Sequence, residues 1–269
     1  MDNKEIEQDL LGPARTLLSA QPSLIRLKGS TLVIGDLHGD LRAATSAVNI
    51  FRSKGYTNLI FLGDYVDRGP DSLPVLELLI GEMLKDPEHV HLLRGNHETL
   101  WVNDEHGFKD ELSRRKVLDL HMPINDVFSL LPVAAVIDNL VFAVHGGVPE
   151  GKSTLDDIKA IKKGTLEPNE RHDKLLLGLM WNDPKEEIKG FGPNDYRGYM
   201  RTFGVDVFKA FLEKNGLEKM VRGHQRWMDG YRYFFDEKLL SVFSCASYCP
   251  KVHTKASLVE GTTFTIIEL

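Results

Sequence analysis

Apolar and polar positions along the chain fall into two textures. In the first half, short apolar runs alternate with segments whose apolar residues recur every three to four positions. TLVIGD (31–36) has the character of a short buried strand, and LRAATSAVNIFRSKG behind it has helical spacing closed by a glycine. TNLIFLGD followed by DSLPVLELLIGEMLKD repeats the alternation, and VHLLRGNHE with a mixed helical region repeats it once more. Three strand-then-helix units in series predict a parallel sheet. Ahead of them, Leu10, Leu11, Leu17 and Leu18 mark residues 1–28 as an amphipathic helical extension.

Beyond residue 130 the pattern turns to paired strands. VAAVI and LVFAV flank Asp138-Asn139, YRYFF and LLSVFSC flank Asp236-Glu237-Lys238, and SLVE and TFTIIEL flank Gly261-Thr262, all three reading as hairpins. A helix, VDVFKAFLEKNG, and a strand, KMVRGHQ, lie between them, and GFGPNDYRG (190–198) reads as a substantial loop. With no repeat and no linker, residues 1–269 are expected to form one mixed α/β domain, its two sheets packed face to face.

Composition narrows the partners. The 33 basic and 39 acidic residues leave a net charge of −6, which provides no general field for nucleic acid or an anionic membrane, so neither is expected as a partner. Cys245 and Cys249 are too few for a disulfide framework, no apolar run reaches the ~18 residues of a membrane span, and the start lacks a basic-then-apolar leader. These features predict a soluble cytoplasmic protein.

The chemistry sits where the strands end. VIGDLHGD carries Asp36 and His38; FLGDYVDRG carries Asp64, Asp67 and Arg68; LLRGNHE carries Arg94, Asn96 and His97; FAVHGG carries His145; MVRGHQ carries His224. Alone, an Asp after a strand is a turn or a helix cap, and a His in an apolar segment is a hydrogen-bonded core residue. Five such clusters, each beside a glycine, point instead to one site, because loops at the carboxyl ends of parallel strands share a sheet edge. Asp36, His38, Asp64, Asn96, His145 and His224 offer six oxygen and nitrogen donors and no thiolate, suited to manganese first, then iron or zinc. Six exceed what one tetrahedral ion uses, so with Asp64 bridging they divide between two divalent cations about 3.5 to 4 Å apart. Side-chain alternation turns His97 away from Asn96 and toward substrate, free to act as an acid, with Asp67 accepting its hydrogen bond and favouring its protonated form. Arg68 and Arg197 are planar donors suited to phosphate oxygens.

The set GDLHG, GDYVDRG, LRGNHE, HGG and RGHQ, with SYC near the end, resembles the PPP family of metal-dependent serine/threonine protein phosphatases over roughly residues 30 to 260. The resemblance implies a central β-sandwich of mixed sheets flanked by helices, the calcineurin-like metallophosphoesterase fold. It implies one cation on Asp36, His38 and Asp64, a second on Asp64, Asn96, His145 and His224, and an acid pair of His97 and Asp67. By the same resemblance Arg68, Arg94 and Arg197 fall at phosphate-binding or near-phosphate positions, and Tyr248 overhangs the site. The implied reaction is in-line attack on a phosphomonoester of a phosphorylated protein or peptide by a water bridging the metals, with His97 protonating the leaving alkoxide. Asp40 stands where glutamine is usual, RGHQ replaces RAHQ and SCASYC replaces SAPNYC, none of which removes a ligand. The compact form is similar to archaeal and bacterial members, so regulatory subunits are not implied and a monomer is expected. Dinucleoside polyphosphate hydrolases share GDxHG, GDxVDRG and GNHE and are the alternative on substrate, although WNDP, the Arg197 loop and SYC favour the protein phosphatases.

GGVPEGKS (146–153) also matches the phosphate loop G-x-x-x-x-G-K-[ST]. Pro149 removes a backbone donor from that loop, and its nucleotide-binding reading explains none of the other clusters. Most of the remaining histidines, His89, His91, His106, His121, His172 and His253, are expected at the surface or at helix ends, His253 alone being near enough to Tyr248 to approach the site; Trp181 and Asp183 read as a buried tryptophan and a turn, with lining of the cleft as the alternative.

Overall fold

The structure is a computed structural model and describes residues 5–151, 153–198, 200–249 and 251–269. Strands β2 (Thr31–Ile34), β3 (Asn58–Phe61) and β4 (Val90–Leu92) pair in parallel, and β13 (Lys255–Glu260) and β14 (Thr263–Glu268) extend them antiparallel into a five-stranded sheet. A six-stranded sheet has the order β1 (Leu24–Leu27), β5 (Ala134–Ile137), β6 (Val141–Val144), β10 (Lys219–Arg222), β12 (Leu239–Val242), β11 (Tyr231–Phe234).

Both faces of β2, β3, β4, β5, β6 and β12 are buried, which is why they read as continuous apolar runs. Val33 and Ile60 from one sheet meet Ala135, Ala143, Val221 and Leu240 from the other between the layers. Their neighbours Leu32, Ile34, Leu59 and Phe61 point outward, under the helices Leu41–Lys54 and Ser72–Lys85. On the far side, Phe142, Val144 and Met220 pack against the helices Lys174–Trp181 and Val205–Asn215. Period-two alternation thus builds a β-sandwich covered by helices on both outer faces.

The punctuation matches its physical cause. The helix Leu41–Lys54 is capped by Asp40, whose carboxylate accepts from the Ala43 amide at 3.0 Å, and ends at Gly55 with φ 67°. Asp138 and Asn139 take φ 51° and 61°, the twist a two-residue hairpin between β5 and β6 requires. Two expectations need correction. The helical part of the N-terminal segment stops at Ala20, and Leu24–Leu27 is a strand paired with β5, so residues 1–28 are not wholly helical. Part of the 190–198 stretch is also strand: β8 (Phe191–Pro193) joins β9 (Arg201–Phe203) and β7 (Asp183–Pro184) in a small third sheet. Among the described residues no helix is long and apolar enough to cross a membrane.

β2, β3 and β4 are parallel in one sheet and β6 and β10 in the other, so the carboxyl ends fall in two groups. A parallel bridge between Asp36 and Phe243 ties the two sheets together where those ends meet.

Candidate active site

All five clusters converge at that edge, and their backbones are held in unusual conformations. His38, Asp64, Asp67, Arg68 and His224 all sit at positive φ, between 41° and 71°. Such conformations cost about 1–2 kcal/mol each for side chains of this kind, and the surrounding contacts must offset it. Gly95 supplies part of the cradle: a Cβ there would lie 2.4 Å from the Asp64 amide and carboxylate and 2.6 Å from Glu98 Oε2.

Asp64 is the centre of the arrangement. Its Oδ1 lies 3.2 Å from His145 Nε2, and its Oδ2 lies 3.6 Å from His38 Nε2 and 4.0 Å from His97 Nε2. His145 Nε2 is also 3.0 Å from Asn96 Oδ1 and 3.1 Å from His224 Nδ1. Asp36 Oδ2 is 3.9 Å from His38 Nε2, while its Oδ1 accepts the His224 amide at 2.7 Å. Ligand atoms of Asp64, His145 and His224 fall within 4.8 Å of one another, as do those of His38, Asp64 and His97.

Tautomers follow from the outer hydrogen bonds. His38 Nδ1 donates to the Val66 carbonyl at 2.8 Å and His145 Nδ1 to that of Leu62 at 3.2 Å, so both Nε2 lone pairs face inward. The inner space is therefore walled by acceptors, and Asp36 Oδ2 and His224 Nε2 are buried with no hydrogen-bond partner. Crowded acceptors in a dry site need protons or cations. Without a cation, burial and the Asp64 charge push Asp36 up to about 6. Burial lowers the His145 imidazole, but the Asp64 charge outweighs it and raises it. Burial, then Arg68 for one and Arg197 for the other, pulls His38 and His224 well below the usual range, keeping both neutral and able to ligate. These residues fit a pair of hard divalent cations sharing Asp64.

Above this pocket, His97 Nδ1 meets Asp67 Oδ2 at 2.5 Å, and Asp67 Oδ1 accepts from the Phe108 amide at 2.9 Å. Burial pushes Asp67 up to about 7 and pulls His97 down to about 3. Arg68 reaches across, donating to His38 Nε2 at 2.9 Å, His97 Nε2 at 3.1 Å and the Tyr248 hydroxyl at 3.1 Å. Arg197 donates to Asp183 Oδ2 at 2.7 Å and to the His224 carbonyl at 3.2 Å.

Arg94 departs from expectation. It is 2% exposed, with Nε on the Glu98 carbonyl at 3.0 Å and a terminal nitrogen on that of Thr165 at 2.8 Å. A buried guanidinium bonded to two backbone carbonyls braces the loop. The phosphate-loop match fails as well: the helix Leu155–Lys159 has five residues, and the Asp157 carboxylate already accepts from the Thr154 amide at its start. Lys152 of that motif lies outside the described residues.

Sequence alone assigns no role to Glu98 or Asn103 and reads Asp183 as a turn. Glu98 spreads its carboxylate over the amides of Asp64 (2.7 Å), Tyr65 (2.8 Å) and Gly95 (2.9 Å), locking two loops together. Asp183 is no simple turn residue: it also accepts from Arg222 at 2.8 Å and Asn194 at 2.9 Å, so it orders Arg197. Asn103 donates to the His97 carbonyl at 3.1 Å. Glu98 was the most accessible of these, as a charge inside an otherwise buried GNHE turn. Trp181 stacks on the partly exposed Trp101 with centroids 5.4 Å apart and meets His224 edge-on at 5.6 Å.

Residues 29–226 match the calcineurin-like phosphoesterase family, about three quarters of the chain, and the protein belongs to that family. The PPP resemblance carried by its motifs is borne out as well. The structure superposes with a TM-score of 0.89 on a protein serine/threonine phosphatase from Saccharomyces cerevisiae, described as similar to human phosphatase PP5, at 29% identity over 100% of this chain and 90% of that one. A cold-active protein-tyrosine phosphatase from a psychrophilic Shewanella shares the fold, with a TM-score of 0.66 and 18% identity over 94% of this chain and 84% of that one.

Proposed function

We propose that this metallophosphoesterase is a phosphoprotein phosphatase that hydrolyses phosphoserine and phosphothreonine. Asp36, His38 and Asp64 would hold one cation, and Asp64, Asn96, His145 and His224 the other. When bound, the cations supply Lewis acidity, lowering the pKa of water and offsetting phosphoryl charge. The remaining work falls to side chains. Arg68 and Arg197 would donate to the phosphoryl oxygens. An arriving dianion draws Arg68 off His97 Nε2 and adds negative charge beside it, which favours the imidazolium. His97, paired to Asp67, then gives its Nε2 proton to the departing oxygen, worth about 10²- to 10⁴-fold for a poor alkoxide leaving group.

The observation that carries this reading is the 2.5 Å His97–Asp67 pair, its Nε2 4.0 Å from Asp64 Oδ2, a geometry that supports His97 as an acid beside the proposed cation ligands. Similarity to the yeast serine/threonine phosphatase supports the substrate class. Chelator-treated protein restored with Mn, Fe, Zn or Mg should cleave phosphoserine and phosphothreonine peptides in preference to phosphotyrosine peptide and diadenosine tetraphosphate, with Mn first among the metals. Turnover of the dinucleotide alone would overturn the assignment.

A further inference from the structure

The loop between β12 and β13 carries Tyr248, and Tyr248 shapes the phosphate site through Arg68. Its hydroxyl accepts from that guanidinium at 3.1 Å, its ring lies 5.6 Å from Arg68 Cζ, and it meets His38 edge-on at 5.5 Å. Apolar packing holds one side of this loop: Cys245 and Val252 cluster with Phe243, and the half-buried Tyr248 and Cys249 pack against that cluster. A cavity of about 440 Å³ flanks it, lined by Asp40, Arg42, Ala246, Ser247 and His253. Across that gap the loop is held by polar ties, Ala246 N–H to Asp40 Oδ2 at 2.8 Å and Ser247 Oγ to the His38 carbonyl at 3.2 Å.

Asp40 uses both carboxylate oxygens at once. Oδ1 accepts the Ala43 amide and caps the helix Leu41–Lys54, while Oδ2 holds Ala246, two residues before Tyr248, and the side chain is 7% exposed. A side-chain amide has one acceptor oxygen and can satisfy only one of these two donors. We propose that Asp40 is a positioning residue for phosphate recognition, fixing the Tyr248 loop to a helix end and thereby fixing Arg68. The inference rests on the phosphatase reading for its consequence, although the tie itself does not.

Asp40→Ser separates the two bonds, because serine is a good helix cap and too short to reach Ala246. In the metal-loaded protein, hydrogen exchange at residues 246–249 should accelerate about tenfold or more while Ala43 and Ala44 keep their protection. The inhibition constant of inorganic phosphate should rise about 3- to 10-fold, the range of one lost hydrogen bond. In a Tyr248→Phe background the same substitution should change it less than about twofold, because both act through one contact. Asp40→Asn, able to serve one donor, should reproduce part of the loss. Unchanged exchange at 246–249, or effects of Asp40→Ser and Tyr248→Phe that multiply fully, would overturn the proposal. If exchange and phosphate binding respond as stated while no phosphoprotein is hydrolysed, the tie stands and the substrate assignment fails.

Discussion

Asp67→Asn alters the acid pair with little change in volume. Asp67 is fully buried, with one oxygen on the Phe108 amide at 2.9 Å and the other on His97 Nδ1 at 2.5 Å. The asparagine oxygen can keep Phe108, which turns an amide N–H toward His97 and pins the neutral Nε2–H tautomer. His97 then loses its counter-charge, and a neutral imidazole is a far weaker acid than an imidazolium. A carboxylate partner shifts a pKa by roughly 1–3 units, and each unit is about 1.4 kcal/mol. The protonation step should therefore lose about 1.4–4 kcal/mol, or roughly 10- to 10³-fold in kcat. A p-nitrophenolate leaves without an acid, so p-nitrophenyl phosphate should slow less than about tenfold. Steady-state kinetics of the metal-loaded variant on a phosphoserine peptide and on p-nitrophenyl phosphate make the comparison. Equal losses on both substrates would refute the acid role for this pair.

Three other substitutions probe the supports. Glu98→Gln keeps one acceptor where three amides now point at two oxygens; with hydrogen bonds worth about 0.5–1.5 kcal/mol each and a stranded buried donor about 1–3 kcal/mol, the melting temperature should fall by roughly 3–12 °C and metal affinity about 10- to 100-fold, by calorimetry and metal titration. Asp183→Ala strands the buried Arg222 charge and should cost about 3–5 kcal/mol in denaturant melts while raising KM through a loosened Arg197. His91 lies in β4 with Nε2 unpartnered, and burial holds it down at about 4. Its folded pKa is below the unfolded value of about 6.5, so its contribution is present above that pH and is lost as pH falls through the folded pKa. Urea midpoints at pH 7 and 4.5 should show the wild type losing about 2 kcal/mol more than His91→Leu; parallel losses in the two proteins would contradict this.

Much of this site is legible because each motif follows an apolar strand, and strand direction fixes where its end lies. Asp36, Asp64, Asn96, His145 and His224 could be gathered into one place on that ground alone. The hairpins were equally plain, since Asp138-Asn139 and Gly261 supply positive φ where a tight turn needs it. Side-chain direction was less accessible. Arg94 and Arg68 stand in similar glycine-flanked motifs, yet one turns under the Glu98 turn and the other over the pocket. His91 appeared to be a surface histidine because a three-residue strand shows no period. β7, β8 and β9 escaped for the same reason, each having two or three residues. The Asp40–Ala246 tie spans 206 positions, and the two oxygens of one carboxylate carry no separate signal in sequence.

The central claim is that Asp64 joins two cation sites, and metal content measures it directly. Chelator-treated protein reloaded with Mn²⁺, desalted and analysed by inductively coupled plasma mass spectrometry should retain two ions per chain. Asp36→Asn and His224→Ala should each retain one, and Asp64→Asn neither. A wild-type content of one ion or none, or two ions surviving in Asp64→Asn, would contradict the account.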